Sequence, residues 1–200
     1  MFTGIIQEVA KVFSITKKTN SNIIAITSNI VYQDTKISDS INVNGVCLTV
    51  VKKEKNILFF EAIKTTLEKT NLKRLKINEY VNLEQALKIS DKLGGHFVLG
   101  HIDTEAKLLK IIKKNNYWQL ELELFSKFKK YVVENGSISI DGISLTIKKI
   151  NYNSFTLDII PFTYQNTNIK YRKIGDYLNI EFDYLLKATL KNSGGSAVWI

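Results

Sequence analysis

One thiol, two imidazoles and a handful of hydroxyl and carboxyl groups are the parts of this sequence equipped for nucleophilic or proton-transfer chemistry. Cys47 is the single cysteine; its apolar strand setting suits a small buried hydrophobe as well as a nucleophile. Ser144, Thr49 and Thr146 are ordinary strand residues by type, and Asp141, standing before Gly142, is a turn former first and an acid second. Lys64 reads most simply as a solvated charge at a strand end. His96 and His101 have no cysteine or carboxylate cluster beside them in the sequence, so no metal site is expected. His101, inside Gly-His-Ile, leans towards function because imidazole exchanges protons near neutral pH.

The elements that position these groups occur twice. Sliding the chain by 97 residues lays Ser40 to Val50 on Ser137 to Ile147, and the same offset carries Ile63, Thr66, Thr70 and Asn71 onto Ile160, Thr163, Thr167 and Asn168. Ile77, Tyr80, Asn82 and Glu84 meet Ile174, Tyr177, Asn179 and Glu181, while near the start an offset of 96 places Gly4-Ile5-Ile6 on Gly100-His101-Ile102. So long a period exceeds solenoid and propeller repeats of about 20 to 50 residues and marks a duplicated domain.

Within each copy, runs such as Asn22 to Thr27, Val46 to Val51, Ile57 to Glu61 and Tyr80 to Glu84 read as short strands. Asn44-Gly45 and Asp141-Gly142 supply tight hairpin turns. Thr65 to Leu75, Phe125 to Val133 and Asp183 to Lys191 carry helical spacing. The expected fold is all-β with short helices: tandem duplicated six-stranded Greek-key barrels, residues 1–95 and 96–183, then a short C-terminal helix and tail at 184–200. The copies differ where Cys47 faces Ser144, Asn44 faces Asp141, Ile5 faces His101 and Lys64 faces Pro161. Like frames with unlike polar groups suit two similar ligands handled differently, or one live site beside a decayed one.

Composition sets the outer limits. The chain is 44% hydrophobic and 24% charged, which excludes disorder and collagen-like repeats. A single cysteine needs no oxidising compartment, and no basic leader or apolar run of about 18 residues is present, so a cytoplasmic protein without membrane contact is expected. The net charge of +9 is spread along the chain. A nucleic-acid surface would need exposed aromatics beside the lysines, and Phe59-Phe60 and Tyr117-Trp118 read more simply as core.

Met1-Phe2-Thr3-Gly4-Ile5, Asn44 to Val50 (NGVCLTV), Gly94 to Ile102 (GGHFVLGHI) and Ile140 to Thr146 (IDGISLT), in order on a duplicated frame, resemble the riboflavin synthase family. The resemblance implies a transferase of riboflavin biosynthesis. Two molecules of 6,7-dimethyl-8-ribityllumazine would dismutate by transfer of a four-carbon unit, giving riboflavin and 5-amino-6-ribitylaminouracil, with no cofactor or metal. It further implies a homotrimer whose working site lies between barrels of neighbouring subunits. Ser40, Cys47, His101, Asp141 and Ser144 would stand nearest the chemistry.

By the same resemblance one lumazine pocket is lined by Gly4, Ile5, Ile6, Cys47, Leu48, Thr49, Glu61, Ala62, Ile63, Lys64, Thr65 and Thr66. The other is lined by Gly100, His101, Ile102, Asn135, Ser144, Leu145, Thr146, Ile159, Ile160, Pro161, Phe162, Thr163 and Tyr164. The sequence departs from the family where Asn135 replaces a frequent lysine, where Pro161-Phe162-Thr163 replaces Pro-Glu-Thr, and in a short C-terminus containing Ser193-Gly194-Gly195-Ser196. A lumazine- or flavin-binding antenna protein without catalysis shares the frame; Cys47, His101 and Gly142 to Thr146 favour the enzyme.

Overall fold

Residues 1–192 are described by a computed structural model. The first half holds strands β1 (Glu8–Lys17), β2 (Ser21–Thr27), β3 (Ser40–Val43), β4 (Val46–Glu54), β5 (Ile57–Ile63) and β6 (Tyr80–Gln85). The second holds β7 (Thr104–Lys113), β8 (Trp118–Glu123), β9 (Ser137–Ile140), β10 (Ile143–Ile150), β11 (Ser154–Ile159) and β12 (Tyr177–Phe182). The two sets close into antiparallel barrels of identical order, β1-β2-β5-β4-β3-β6 and its equivalent β7-β8-β11-β10-β9-β12. Closure removes the unpaired strand edges that an open sheet of this length would expose.

Period-two patterning aims the side chains. In β5, Leu58, Phe60 and Ala62 are buried, while Glu61 and Ile63 between and beyond them face outward. Each barrel fills with its own apolar cluster, around Ile24, Leu58 and Phe60 in the first and Leu108, Leu120 and Phe155 in the second. Of the aromatic pairs expected in the core, only Phe60 lies fully inside; Phe59 sits under the Lys52 ammonium, and Trp118 stacks on Tyr164 at 3.9 Å. The duplication extends to irregularities: β-bulges fall at Val12/Ser14 and Leu108/Lys110, and again at Val50/Lys52 and Ile147/Lys149. The hairpins at Asn44-Gly45 and Asp141-Gly142 have positive φ at both central residues, as the expected tight turns require.

The short helices are α1 (Val31–Asp34), α2 (Lys64–Lys69), α3 (Pro161–Gln165) and α4 (Tyr184–Asn192). The helix expected over Thr65 to Leu75 stops early because Thr70 Oγ1 bonds the Thr66 carbonyl and the backbone turns extended at Thr70. A 3-10 turn at Asn71–Arg74 follows and delivers Asn71 to the other barrel. Phe125 to Val133 likewise yields a 3-10 turn at Ser126–Tyr131. The C-terminal helix is present as α4, and the Ser193 to Ser196 segment lies outside the described residues.

Between the barrels runs a buried polar layer with near two-fold symmetry. Asn82 Nδ2 donates to the Asp141 carbonyl and Asn168 Oδ1, each at 2.9 Å; reciprocally, Asn179 Nδ2 donates to the Asn44 carbonyl at 2.7 Å and Asn71 Oδ1 at 2.9 Å. The symmetry breaks at the turn. Asp141 Oδ2 accepts from Arg172 Nη2 at 2.6 Å and Nε at 3.1 Å, whereas Nδ2 of its counterpart Asn44 is enclosed with no partner among the described residues. Burial works against the Arg172 charge, but the Asp141 and Glu79 carboxylates outweigh it and hold the guanidinium above its ordinary pKa.

Candidate active site

Each barrel's leading segment packs against the other barrel, and at the first barrel this contact borders a cleft. Thr3 and Gly4, which precede the first barrel, lie against the second: the Ser144 amide donates to the Gly4 carbonyl at 2.8 Å. Symmetrically, the Cys47 amide donates to the Gly100 carbonyl at 2.9 Å. A side chain at either glycine is impossible without movement. A Cβ on Gly4 would lie 2.6 Å from the Ser144 Cβ, one on Gly100 would lie 2.5 Å from the Cys47 Cβ, and both glycines have positive φ. Ile102 packs on the first barrel's core and Ile6 on the second's.

The pocket grouping expected from the resemblance is therefore exchanged. Gly100, His101 and Ile102 join Cys47, Thr65 and Thr66 around a cleft of about 250 Å³, to which Val46, Lys69 and Thr70 also contribute. Gly4, with Ile5 following it, lies at Ser144. Contact forced this exchange, since the strand that starts each barrel sets out from the far side of the interface.

Two buried carboxylates hold the glycine segments. Glu84, at the end of β6, accepts from the Thr3 amide at 2.7 Å, the Thr3 hydroxyl at 2.8 Å and the Gly4 amide at 3.1 Å. Glu181 on β12 accepts from the amides of Leu99 at 2.7 Å, Gly100 at 2.9 Å and His101 at 3.1 Å. Desolvation raises both pKa values, and the backbone donors oppose that rise only in part. The duplicated glutamates were visible in the repeat; their role was not, because each acts on a segment some 80 residues away.

The remaining expected residues divide by where they point. Asp141, expected among the catalytic groups, is fully buried between the barrels, and both its oxygens accept from Arg172, Asn71, Asn168 and the Asn179 amide. It is a structural anion, without room for substrate. Leu48, Ala62 and Ile159 carry their side chains into the barrel cores. Glu61 faces solvent, bonded to Ser21 Oγ at 2.7 Å and Lys18 Nζ at 3.1 Å, which hold its pKa below the usual carboxylate value.

Ser40 pairs with Thr49, two residues along β4 from Cys47. Thr146 is exposed and pairs with Ser137, the repeat counterpart of Ser40, while Leu145 packs on the second core. Asn135 occupies a left-handed turn position with its amide on the Ile147 carbonyl, so it serves the backbone. Lys64 and Thr65 open α2 and are exposed. Pro161 opens α3, where its fixed φ suits the first helical turn; Thr163 accepts from Thr167, and Tyr164 stacks on Trp118. Ile63, Ile160 and Phe162 stand exposed.

One group escaped the sequence reading. His96 reaches Ser144, its Nδ1 lying 2.7 Å from the Ser144 Oγ. Its signals were its place directly after Gly94-Gly95 at the seam between the repeats and within the Gly94 to Ile102 motif.

A profile of the lumazine binding domain matches residues 3–86 and again 99–183. The riboflavin synthase of Actinobacillus pleuropneumoniae is 41% identical over 187 residues, covering 94% of this chain and 87% of that protein. That of Escherichia coli K12 is 38% identical over 92% of this chain and 87% of its own length. Among solved structures, LumP complexed with riboflavin superposes with a TM-score of 0.85 at 22% identity, covering 91% of this chain and 99% of that one, which is a likeness of fold. The twin barrels and the twofold match thus define a protein of two lumazine-binding domains. The chain belongs to the riboflavin synthase family.

Proposed function

We infer that this chain is a riboflavin synthase, a transferase that dismutates two molecules of 6,7-dimethyl-8-ribityllumazine to riboflavin and 5-amino-6-ribitylaminouracil. The observation that carries this reading is a matched pair of contacts with unlike reactive groups: the Gly100 carbonyl on the Cys47 amide, in a cleft shared with His101, and the Gly4 carbonyl on the Ser144 amide. Identical partners that must play different parts, one giving and one receiving four carbons, need similar pockets with different chemistry. The protein's work is to orient two flat rings and to move protons, and such positioning supplies much of the rate.

Residues 1–95 and 96–183 serve as the two lumazine-binding units. Cys47, His101 and Ser144 stand nearest the reacting carbons, and Ser40 lies on the neighbouring strand, paired with Thr49 two residues from Cys47. The hydroxyls of Thr66 and Thr163, at equivalent places on α2 and α3, suit a ribityl chain. A homotrimer is supported by Tyr184 and Leu185, exposed apolar side chains on α4 suited to neighbouring subunits. A cytoplasmic location agrees with the single unpaired thiol.

Purified protein mixed with the lumazine, without metal or nicotinamide, is expected to form one riboflavin and one pyrimidine for every two lumazines consumed, followed by chromatography and absorbance. A ligand that binds and persists unchanged would make the chain an antenna on the same frame.

A further inference from the structure

Ser144 is the second repeat's answer to Cys47, and of the two, among the described residues, Ser144 alone has an imidazole hydrogen-bonded to it. His96 Nδ1 stands 2.7 Å from Ser144 Oγ, within the range of a strong hydrogen bond. The ring is fixed by its backbone. The His96 amide donates to the Thr3 carbonyl at 3.1 Å, and Phe2 and Val98 pair beside that contact. Gly95 allows the approach, because a Cβ there would lie 2.1 Å from the Thr3 carbonyl oxygen and 2.9 Å from Ser144 Oγ.

We propose that His96 is the proton acceptor of the site at Ser144, in a relay from substrate through the serine hydroxyl to the imidazole. The C7 methyl of the lumazine is acidic through conjugation with the ring. As its C–H bond breaks, the proton passes to Ser144 Oγ, the serine's own proton passes to His96 Nδ1, and the C–H electron pair delocalises into the pteridine. The resulting imidazolium balances the carbanion, and no oxidant or reductant is involved. Burial lowers the His96 pKa, keeping the ring neutral and able to accept near pH 7, while the Asp183 carboxylate pulls the other way and favours the protonated form. This assignment rests on the lumazine reading above.

The test measures exchange of the C7 methyl protons of the lumazine into D2O by proton NMR, beside turnover and lumazine Kd. The proteins are wild type, Ser144→Ala, His96→Ala and His96→Asn. Asparagine presents an oxygen at the δ position, so it keeps a bond to Ser144 but takes no proton. Both His96 variants are expected to exchange and turn over about a hundredfold more slowly, with Kd within about threefold of wild type. Near-normal exchange in His96→Asn would reduce His96 to a positioning residue and overturn the relay. Unchanged exchange in both variants, equal losses of Kd and exchange, or a wild type that exchanges no faster than free lumazine would overturn it as well. If the variants fail to fold, nitrogen-15 shifts of wild-type His96 decide, since a protonated Nδ1 cannot accept. A wild type that exchanges the methyl but makes no riboflavin would defeat the synthase reading and leave the relay standing.

Discussion

The surroundings of Cys47 and of Ser144 are the same construction with different contents. Each has a glycine carbonyl on the backbone amide near a strand's start and a buried glutamate gripping the glycine segment. At Cys47 the imidazole belongs to exposed His101, one residue past the glycine. At Ser144 it belongs to half-buried His96, bonded to the serine and carried by the inter-repeat segment. Duplication thus conserved the parts that shape a pocket, and divergence fell on the groups that can move a proton.

The largest break in the comparison should come from the inter-barrel turn. Asp141→Ala takes the fully buried partner from Arg172, leaving it Glu79 at 2.9 Å, and loss of one partner of a buried pair costs about 3 to 5 kcal/mol. The matching Asn44→Ala removes only neutral hydrogen bonds and should cost about 1 to 3 kcal/mol in urea unfolding. Equal losses would mean that the asymmetric ion pair carries no special weight.

Next in size, Ser144→Ala should reduce turnover about tenfold or more while lumazine affinity changes little, as steady-state kinetics and fluorescence titration would report. Parallel losses would make Ser144 a binding group. Gly95→Ala should then separate the two clefts. Its Cβ meets the Thr3 carbonyl oxygen and Ser144, an overpacking worth about 1 to 3 kcal/mol, while Gly94→Ala meets only Ile5 at 3.3 Å. Titration should reveal one weakened lumazine site in Gly95→Ala and two normal sites in Gly94→Ala.

The smallest effect should be alike in both barrels. Glu84 and Glu181 have raised pKa values in the folded protein, so the native state holds protons that the unfolded chain releases above about pH 4.3. Their contribution to stability is greatest below that value and declines as pH rises through the raised values. Glu84→Gln and Glu181→Gln should each flatten that part of the curve of unfolding free energy against pH. A flattening confined to one variant would show that the glutamates are not equivalent.

The barrels themselves were legible because their signals are local. Alternation in β5, the Asn44-Gly45 and Asp141-Gly142 turns and a repeat of 97 residues each depend on neighbours in the chain. Helix ends were less so: Thr65 to Leu75 has helical spacing, but Asn71 is needed across the interface at Asn179, and tertiary hydrogen bonds ended the helix there. Site residues divided in the same way. Cys47, His101 and Ser144 stood out as differences between the repeats, whereas the burial of Asp141 did not, since a carboxylate before glycine reads alike in a solvated turn and in a sealed one.

By itself the sequence determined that two similar closed barrels form and which positions hold thiol, hydroxyl or imidazole, because periodicity and turn chemistry act over a few residues. Tertiary structure alone decided which segment completes which cleft. It put Gly100 on Cys47, Gly4 on Ser144, and His96 within hydrogen-bonding distance of a residue 48 positions away. Such pairings follow from packing two barrels across one axis, and that contact leaves no period in the chain.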